Sequence, residues 1–370
     1  MSESRADIVL FISDLGSGGA QRVLCALAAH WTGAGRRAAV VTLAPDAEDF
    51  FRLPPGVERI ALGMNRESGS LAGAVAQNLT RIRRLRRELR RLRPDVAIGF
   101  IGPAAVLLVA AAAGTGIRTI AAERNDPARQ SFGRIWDALR RRAYHAADRV
   151  TFNAPGAEQA LRAFVPSDRL MFTPNPVPSP VAGDPADVPK PCILAVGRLH
   201  PQKGIDLLIE AYAALDAPDW HLVLVGEGAQ RNTLMAQVRG LGLEARVRFT
   251  GAVDDPSPYY RAADIFAMPS RHEGTPNALM EAMSHGLAAV ISDTSPGPLA
   301  LIEDGENGLV APTATPGALA AALQRLIDDA GLRARLGAGA RAAMDRRRAQ
   351  DDAFARWDAA IAFGSGAPAQ

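Results

Sequence analysis

Cysteine is nearly absent from this 370-residue chain: Cys25 and Cys192 are the only two, far apart and each in apolar surroundings. That excludes a disulfide framework and a cysteine-based zinc site, and it predicts two buried small hydrophobes in a reducing compartment. Aromatic residues make up 5% and the formal net charge is +3, too little of either to build a stacking platform for nucleic acid. One uncharged segment, 96–117, reaches membrane-spanning length, but Gly99, Gly102 and Pro103 break it into a strand-like 96–100 and a helix-like 104–113. The polar start, 1–7, runs into the apolar stretch 8–12, which is too short for the core of a secretory signal, so no export signal is expected.

What is present is ordinary globular composition, 48% apolar and 22% charged, with 34 glycines and 26 prolines for many short connections. The length suits two domains of middling size. Short apolar runs at 8–12, 38–43, 96–100, 117–121 and 149–152, then at 192–196, 221–225, 247–250, 265–268 and 288–291, alternate with longer helical patterns. Continuous apolar character means strands covered on both faces, so each half predicts an α/β unit with a doubly wound parallel sheet. Prolines at 174, 176, 178, 180, 185, 189 and 191 mark the connection between the halves. Ligands of such sheets bind at strand C-termini, and two open sheets joined by a linker predict a cleft.

The densest constellation is Ser270-Arg271-His272-Glu273-Gly274-Thr275-Pro276-Asn277-Ala278-Leu279-Met280-Glu281-Ala282-Met283, followed by Gly286. Its punctuation predicts strand, loop and helix, with Thr275 as N-cap, Pro276 at the first helical position and Gly286 at the stop. That helix start faces the strand ends and attracts anions. Glu273 falls in the loop. Glu281 lies more than a turn inside an otherwise apolar helix, where a carboxylate wants hydroxyl partners. A second stretch, Val196-Gly197-Arg198-Leu199-His200-Pro201-Gln202-Lys203-Gly204, sets two cations at a strand end ahead of a helix over 205–214. A third, Gly16-Ser17-Gly18-Gly19-Ala20-Gln21-Arg22, follows the first strand, and Arg22 stands where a dinucleotide fingerprint has glycine or alanine.

Together these stretches resemble glycosyltransferase family 4, which has the GT-B fold, over essentially the whole chain. The resemblance implies two Rossmann-like domains, 1–174 on the acceptor side and 192–348 on the nucleotide-sugar side. A linker over 175–191 joins them, and within 349–370 a helix returns to the first domain before a loose tail. In that family the first glutamate of the motif contacts the donor sugar and the second binds the ribose hydroxyls, here Glu273 and Glu281. Arg198 and Lys203 match the pair that clasps the diphosphate and stabilises the charge of the leaving group. Gly274, Thr275, Pro276 and Asn277 fall on the donor side. Gly18 and Gly19 match the loop that closes over the donor phosphates. Ser295-Pro296-Gly297-Pro298 is similar to a second diphosphate loop, with Gly297 on the donor and Ala300 where a glutamate often stands. Many relatives carry a histidine near the sugar. This chain has Glu123-Arg124-Asn125 there, which sends Arg124 and Asn125 toward the donor sugar or acceptor, unless the loop is purely structural.

The implied activity is retaining transfer of a sugar from a nucleoside diphosphate sugar, with uridine the family-weighted base, to a glycan or lipid-linked acceptor in cell-surface polysaccharide assembly. No protein nucleophile is apparent, and the resemblance implies front-face substitution, in which the departing phosphate itself accepts the acceptor's proton. With two cations in place and no Asp-x-Asp pair, no metal and no cofactor is expected. The rival readings are a noncatalytic nucleotide-sugar-binding subunit and a GT-B epimerase. Arginines crowd 81–93 around an apolar stripe of Ile82, Leu85, Leu89 and Leu92. The helix either lies on an anionic membrane or docks on its own sheet with solvated arginines, so the expected location is cytoplasmic, with peripheral attachment to the inner face of the membrane. No nucleic-acid partner is expected.

Overall fold

The continuous apolar runs become strands of two parallel sheets, all but 247–250 at inner positions, and the computed structural model describes residues 5–66, 68–154, 156–350 and 352–363. The chain divides into two units, Met1–Asn175 with Ala353–Gln370, and Pro176–Asp352. The first contains β1 (Ile8–Ile12), β2 (Ala38–Thr42), β3 (Glu58–Ala61), β4 (Val96–Phe100), β5 (Arg118–Glu123), β6 (Arg149–Phe152) and β7 (Leu170–Phe172). These seven strands are in the order β3-β2-β1-β4-β5-β6-β7, so the order reverses between β1 and β4. The second contains β8 (Cys192–Val196), β9 (His221–Val225), β10 (Val247–Gly251), β11 (Ile265–Met268), β12 (Ala288–Ser292) and β13 (Leu309–Ala311). Their order is β10-β9-β8-β11-β12-β13, with the reversal between β8 and β11. Three strands absent from the sequence reading, β3, β7 and β13, lie at sheet edges; β3 mixes charged and apolar residues, and β7 and β13 are apolar but only three residues long.

Alternation along each strand feeds two cores. In the first unit Ile8, Leu10 and Ile12 meet the helix Gly19–Gly33 on one face. Val9 and Phe11 meet the helices Leu71–Leu92 and Gly102–Ala112 on the other. In the second unit Ile193 and Ala195 face one core, and Cys192 and Leu194 face another that contains the helix Asn277–Ser284. Among the described residues no helix is long and apolar enough to cross a membrane, and 96–112 is indeed strand, turn and helix.

The helix Ala353–Ala362 packs into the first unit. Its Trp357 is fully buried, stacked on Phe100 at 5.9 Å between centroids and edge-on to Trp31 at 6.4 Å. The Trp31 indole N–H donates to Asp358 at 2.7 Å, and His30 meets the same carboxylate at 3.0 Å. The tail expected after residue 363 lies outside the described residues.

Within the arginine-rich helix, Leu85, Leu89 and Leu92 are buried in the core of the first unit, with Ile82 packed beside them. Docking on its own sheet therefore accounts for the stripe, and several arginines serve it. Arg86 donates to the carbonyls of Ala111 and Ala113, and Arg91 pairs with Glu58 and Glu88. The large aromatic contact at the end of the chain yields a test: Trp357→Ala should destabilise the first unit by about 3–5 kcal/mol in urea titration, because the vacated volume cannot be refilled from solvent. A loss below about 1 kcal/mol would contradict this packing.

Candidate active site

The reversal of strand order between β8 and β11 leaves adjacent strand ends whose loops diverge to opposite sides, and the loops after these two strands carry the charges singled out above. After β8 the chain makes one 3-10 turn over Pro201–Lys203, with the His200 ring nitrogen accepting the Gln202 N–H at 3.3 Å. Gly204 closes it at φ +64°, where a side chain would also strike the Pro269 carbonyl of the next loop. That turn brings Lys203 Nζ to 2.5 Å from Glu273 Oε1, across 70 residues of sequence.

Glu273 is buried, with 7% of its surface exposed, so its carboxylate depends on the groups that meet it. Besides Lys203, the Ser270 hydroxyl donates to Oε1 at 2.8 Å. The Glu273 N–H in turn donates to Ser295 Oγ at 3.0 Å, and Thr294 Oγ1 donates to the Ser270 carbonyl at 2.6 Å. These serines and Thr294 were not singled out in the sequence, although Ser270 and Ser295 open the two motifs. Arg198 is exposed in the loop after β8. The loop's positive field is registered by His200, whose pKa is held below the ordinary histidine value by burial first and then by Arg198, His272 and Lys203.

Glu281 sits in the second turn of the helix Asn277–Ser284, buried as the apolar pattern requires. The hydroxyl partner it needs is supplied from within the protein by Tyr260, whose O–H donates to Oε2 at 2.9 Å. Tyr260 is itself buried and stacks on His285 at 5.3 Å. It was not found in the sequence, because the six-residue helix Ser257–Ala262, with Tyr259 beside it, is too short to carry a periodic signal. The helix start also differs from the expectation. Pro276, in extended conformation, is the N-cap and the helix begins at Asn277, with no side-chain cap bond, so Thr275 is not the cap. Proline has no N–H to satisfy, which lets it take the boundary position itself. Gly274 lies directly before this segment, and Gly297 packs so closely on the Gly274 carbonyl that a Cβ there would come to 1.7 Å. The loop of Gly297 thus backs the loop of Glu273.

In the first unit Gly18 and Gly19 lie at the start of the helix after β1. Asp14 shapes the turn: its Oδ1 accepts the Gly16 N–H at 2.8 Å and the Gln21 side-chain amide at 3.0 Å. Arg124 is given a different task from the expected contact with sugar or acceptor. It is buried, and its guanidinium donates to the Thr173 carbonyl at 3.0 Å, Thr173 Oγ1 at 2.8 Å and Thr151 Oγ1 at 2.6 Å. It also lies 4.8 Å from the centre of the Trp357 ring, and burial pulls its pKa down to about 9. The fully buried Glu123 completes the network by accepting from the Arg124 and Asn125 N–H groups and from Tyr144 O–H. Desolvation of this kind is tolerated only with such partners, so Arg124 holds the fold together. Asn125, half-buried, remains at the loop surface.

Comparison with known proteins agrees with this geometry. Residues 17–179 match the family model described as Glycosyltransferase Family 4, and residues 183–343 match that described as Glycosyl transferases group 1. The lipopolysaccharide core biosynthesis glycosyltransferase LpsE of Rhizobium meliloti is 39% identical over 152 residues, which is 41% of this chain and 43% of LpsE, so the match spans less than half of that relative. A Campylobacter jejuni protein, named as an α-1,4-N-acetyl-D-galactosaminyltransferase of a diNAcBac-PP-undecaprenol-linked glycan, is 26% identical over 89% of this chain and 91% of its own. Among solved structures, Anabaena HepE in complex with UDP and glucose superposes with a TM-score of 0.77 at 20% identity, covering 98% of this chain and 100% of HepE, a likeness that shows the fold. With its two units matched in turn by the two models and its sheets those of the GT-B fold, the chain belongs to glycosyltransferase family 4.

Proposed function

We propose that this protein is a retaining glycosyltransferase that moves a sugar from a nucleoside diphosphate sugar, with uridine as the base, to a glycan or lipid-linked acceptor in bacterial cell-surface polysaccharide assembly. The observation that carries the reading is the contact of Lys203 with Glu273 at the reversal point of the second sheet. Without donor the two charges neutralise each other. A bound donor supplies a better partner for each: diphosphate oxygens for Lys203, and sugar hydroxyls for the Glu273 carboxylate. Arg198, exposed on the same loop, adds a second cation. The names of the Campylobacter and Rhizobium relatives, and the UDP held by HepE, support the substrate classes.

The chemistry follows from that placement. The bond from the anomeric carbon to the diphosphate oxygen breaks, and negative charge accumulates on the leaving diphosphate. Lys203 and Arg198 stabilise that charge most strongly at the transition state, which is the work a metal ion does in other sites. The acceptor hydroxyl attacks the same face, and its proton passes to the departing diphosphate oxygen, which gives retention without a protein nucleophile. Glu273 orients the sugar and favours the positive charge that develops on its ring. Glu281, aligned by Tyr260, holds the ribose hydroxyls.

The protein acts at the inner face of a membrane in this reading. The helix Leu71–Leu92 exposes Leu71, Val75 and Leu79 in its first half, and Arg83, Arg84, Arg87 and Arg90 in its second. Ile135 and Leu139 are exposed on the helix Arg134–Ala146, beside Arg134, Arg141 and Arg142. Exposed apolar residues next to exposed arginines suit an anionic lipid surface.

Two experiments test these points. Glu273→Gln and Lys203→Met, and the double variant that removes both charges, should each lower sugar transfer and donor hydrolysis by about 100-fold or more while circular dichroism is unchanged. Full activity in the double variant would refute the assignment, and nucleotide binding by an inactive wild type would favour a noncatalytic subunit. Sedimentation with anionic vesicles should weaken at least about tenfold when Arg83, Arg84, Arg87 and Arg90 are replaced by serine, and should fall with added salt. Sedimentation with neither vesicle would exclude the membrane surface as partner, and equal sedimentation with neutral and anionic vesicles would exclude recognition of anionic lipid by the arginines.

A further inference from the structure

One cluster beside the proposed donor site takes no part in the chemistry above: Asp206, at the start of the helix Ile205–Ala213, and Arg271, which follows Ser270. Arg271 grips the Asp206 carboxylate with both arms of its guanidinium, Nη1 to Oδ1 at 2.8 Å and Nη2 to Oδ2 at 2.6 Å. The same Nη1 donates to the Pro201 carbonyl at 2.6 Å. The Arg271 backbone N–H donates to the Gln202 carbonyl at 2.7 Å, and the Gln202 side-chain amide donates to the His272 carbonyl at 3.0 Å.

Each of these bonds joins the segment after β8, from its loop into the first turn of the following helix, to the loop after β11. They leave from residues within three positions of the two groups that meet in the site. Gln202 precedes Lys203 by one residue, and Arg271 precedes Glu273 by two. A loop is the natural place for local give, since its backbone lacks the ladder of a strand. Here the give between two particular loops is removed by a two-armed clamp. The fork of arginine fixes both distance and angle, which a lysine ammonium cannot do. The electrostatics agree: the hydrogen bond from Arg271 holds the Asp206 pKa below the usual carboxylate range, and Asp206 holds that of Arg271 above its ordinary value.

We infer that Arg271 is a positioning residue that works through Asp206 to fix the register of the phosphate-side loop against the sugar-side loop, and so sets the distance between Lys203 and Glu273. Since this rests on the donor reading of the site, the two must fail separately. The clamp is half-exposed, with 38% and 33% of the two side chains accessible, so it contributes little to global stability. Its effect is concentrated on geometry, where a displacement of about 1 Å lowers rates by as much as about 100-fold.

The test uses the full chain as wild type, Arg271→Ala, Arg271→Lys, Asp206→Asn, the Arg271→Ala/Asp206→Asn double variant and the exchanged pair Arg271→Asp/Asp206→Arg. Amide hydrogen exchange is followed in peptides covering 198–204 and 270–276. Titration calorimetry measures affinity for UDP, GDP, dTDP and ADP. Melting temperatures should move by no more than about 2–4 °C. Both loops should lose protection together in Arg271→Ala and in Asp206→Asn, with no further loss in the double variant. Affinity for the diphosphate that the wild type binds should fall about tenfold in Arg271→Ala, with Arg271→Lys falling short of wild type and the exchanged pair recovering part of the loss. Unchanged protection of both loops overturns the inference whether or not any nucleotide binds. Loss of protection with undiminished affinity overturns it as well. A wild type that binds none of the four diphosphates refutes the donor reading instead, and the exchange result still decides the clamp.

Discussion

A carboxylate taken out of water must be met by a cation or by several donors, and Glu273 is met by both: the Lys203 ammonium and the Ser270 hydroxyl converge on one of its oxygens. Much of the second unit can be understood from what that meeting requires. β8 and β11 must be neighbours, so that loops 70 residues apart emerge side by side, and the reversal of strand order makes them so. The loops must approach closely, which Gly204 allows against Pro269 and Gly297 allows against Gly274. They must also hold their register, which the Arg271–Asp206 fork provides.

Three other buried charges follow the same rule with different consequences. Glu281 accepts from Tyr260 and sits one helix turn behind the loop of Glu273, so its carboxylate is anchored from within the unit. Arg124 and Glu123 are consumed within their own unit by threonines, backbone groups and Tyr144. A charge so completely engaged builds structure. A charge whose partner can be exchanged for a ligand builds a site, and Lys203 with Glu273 is of that second kind.

The inner strands were legible in the sequence because a strand covered on both faces must be apolar throughout, as 8–12 and 192–196 are. The edge strands β3 and β7 were not: β3 mixes charged and apolar residues, and β7 is apolar but only three residues long, too short to stand out as a strand. The two charged loops were legible through their resemblance to the motifs of a known family, which set Lys203 and Glu273 at one site. Their supports were not. Tyr260 reaches Glu281 from a separate helix, and Asp206 reaches Arg271 across 65 residues, contacts that no local pattern encodes. Arg124 shows the converse limit, because a motif position says where a residue lies along the chain and not which way its side chain turns.

The central claim is that the Lys203–Glu273 pair is the resting form of a nucleoside diphosphate sugar site. The most direct measurement is thermal unfolding of the wild-type chain across a panel of nucleotide sugars and their parent nucleosides. A ligand at 100 times its dissociation constant stabilises the protein by about 2.7 kcal/mol. The account predicts a clear rise in midpoint with uridine diphosphate or its sugars and none with the bare nucleoside, which lacks the diphosphate that Lys203 would take. A flat response to every diphosphate in the panel would contradict it.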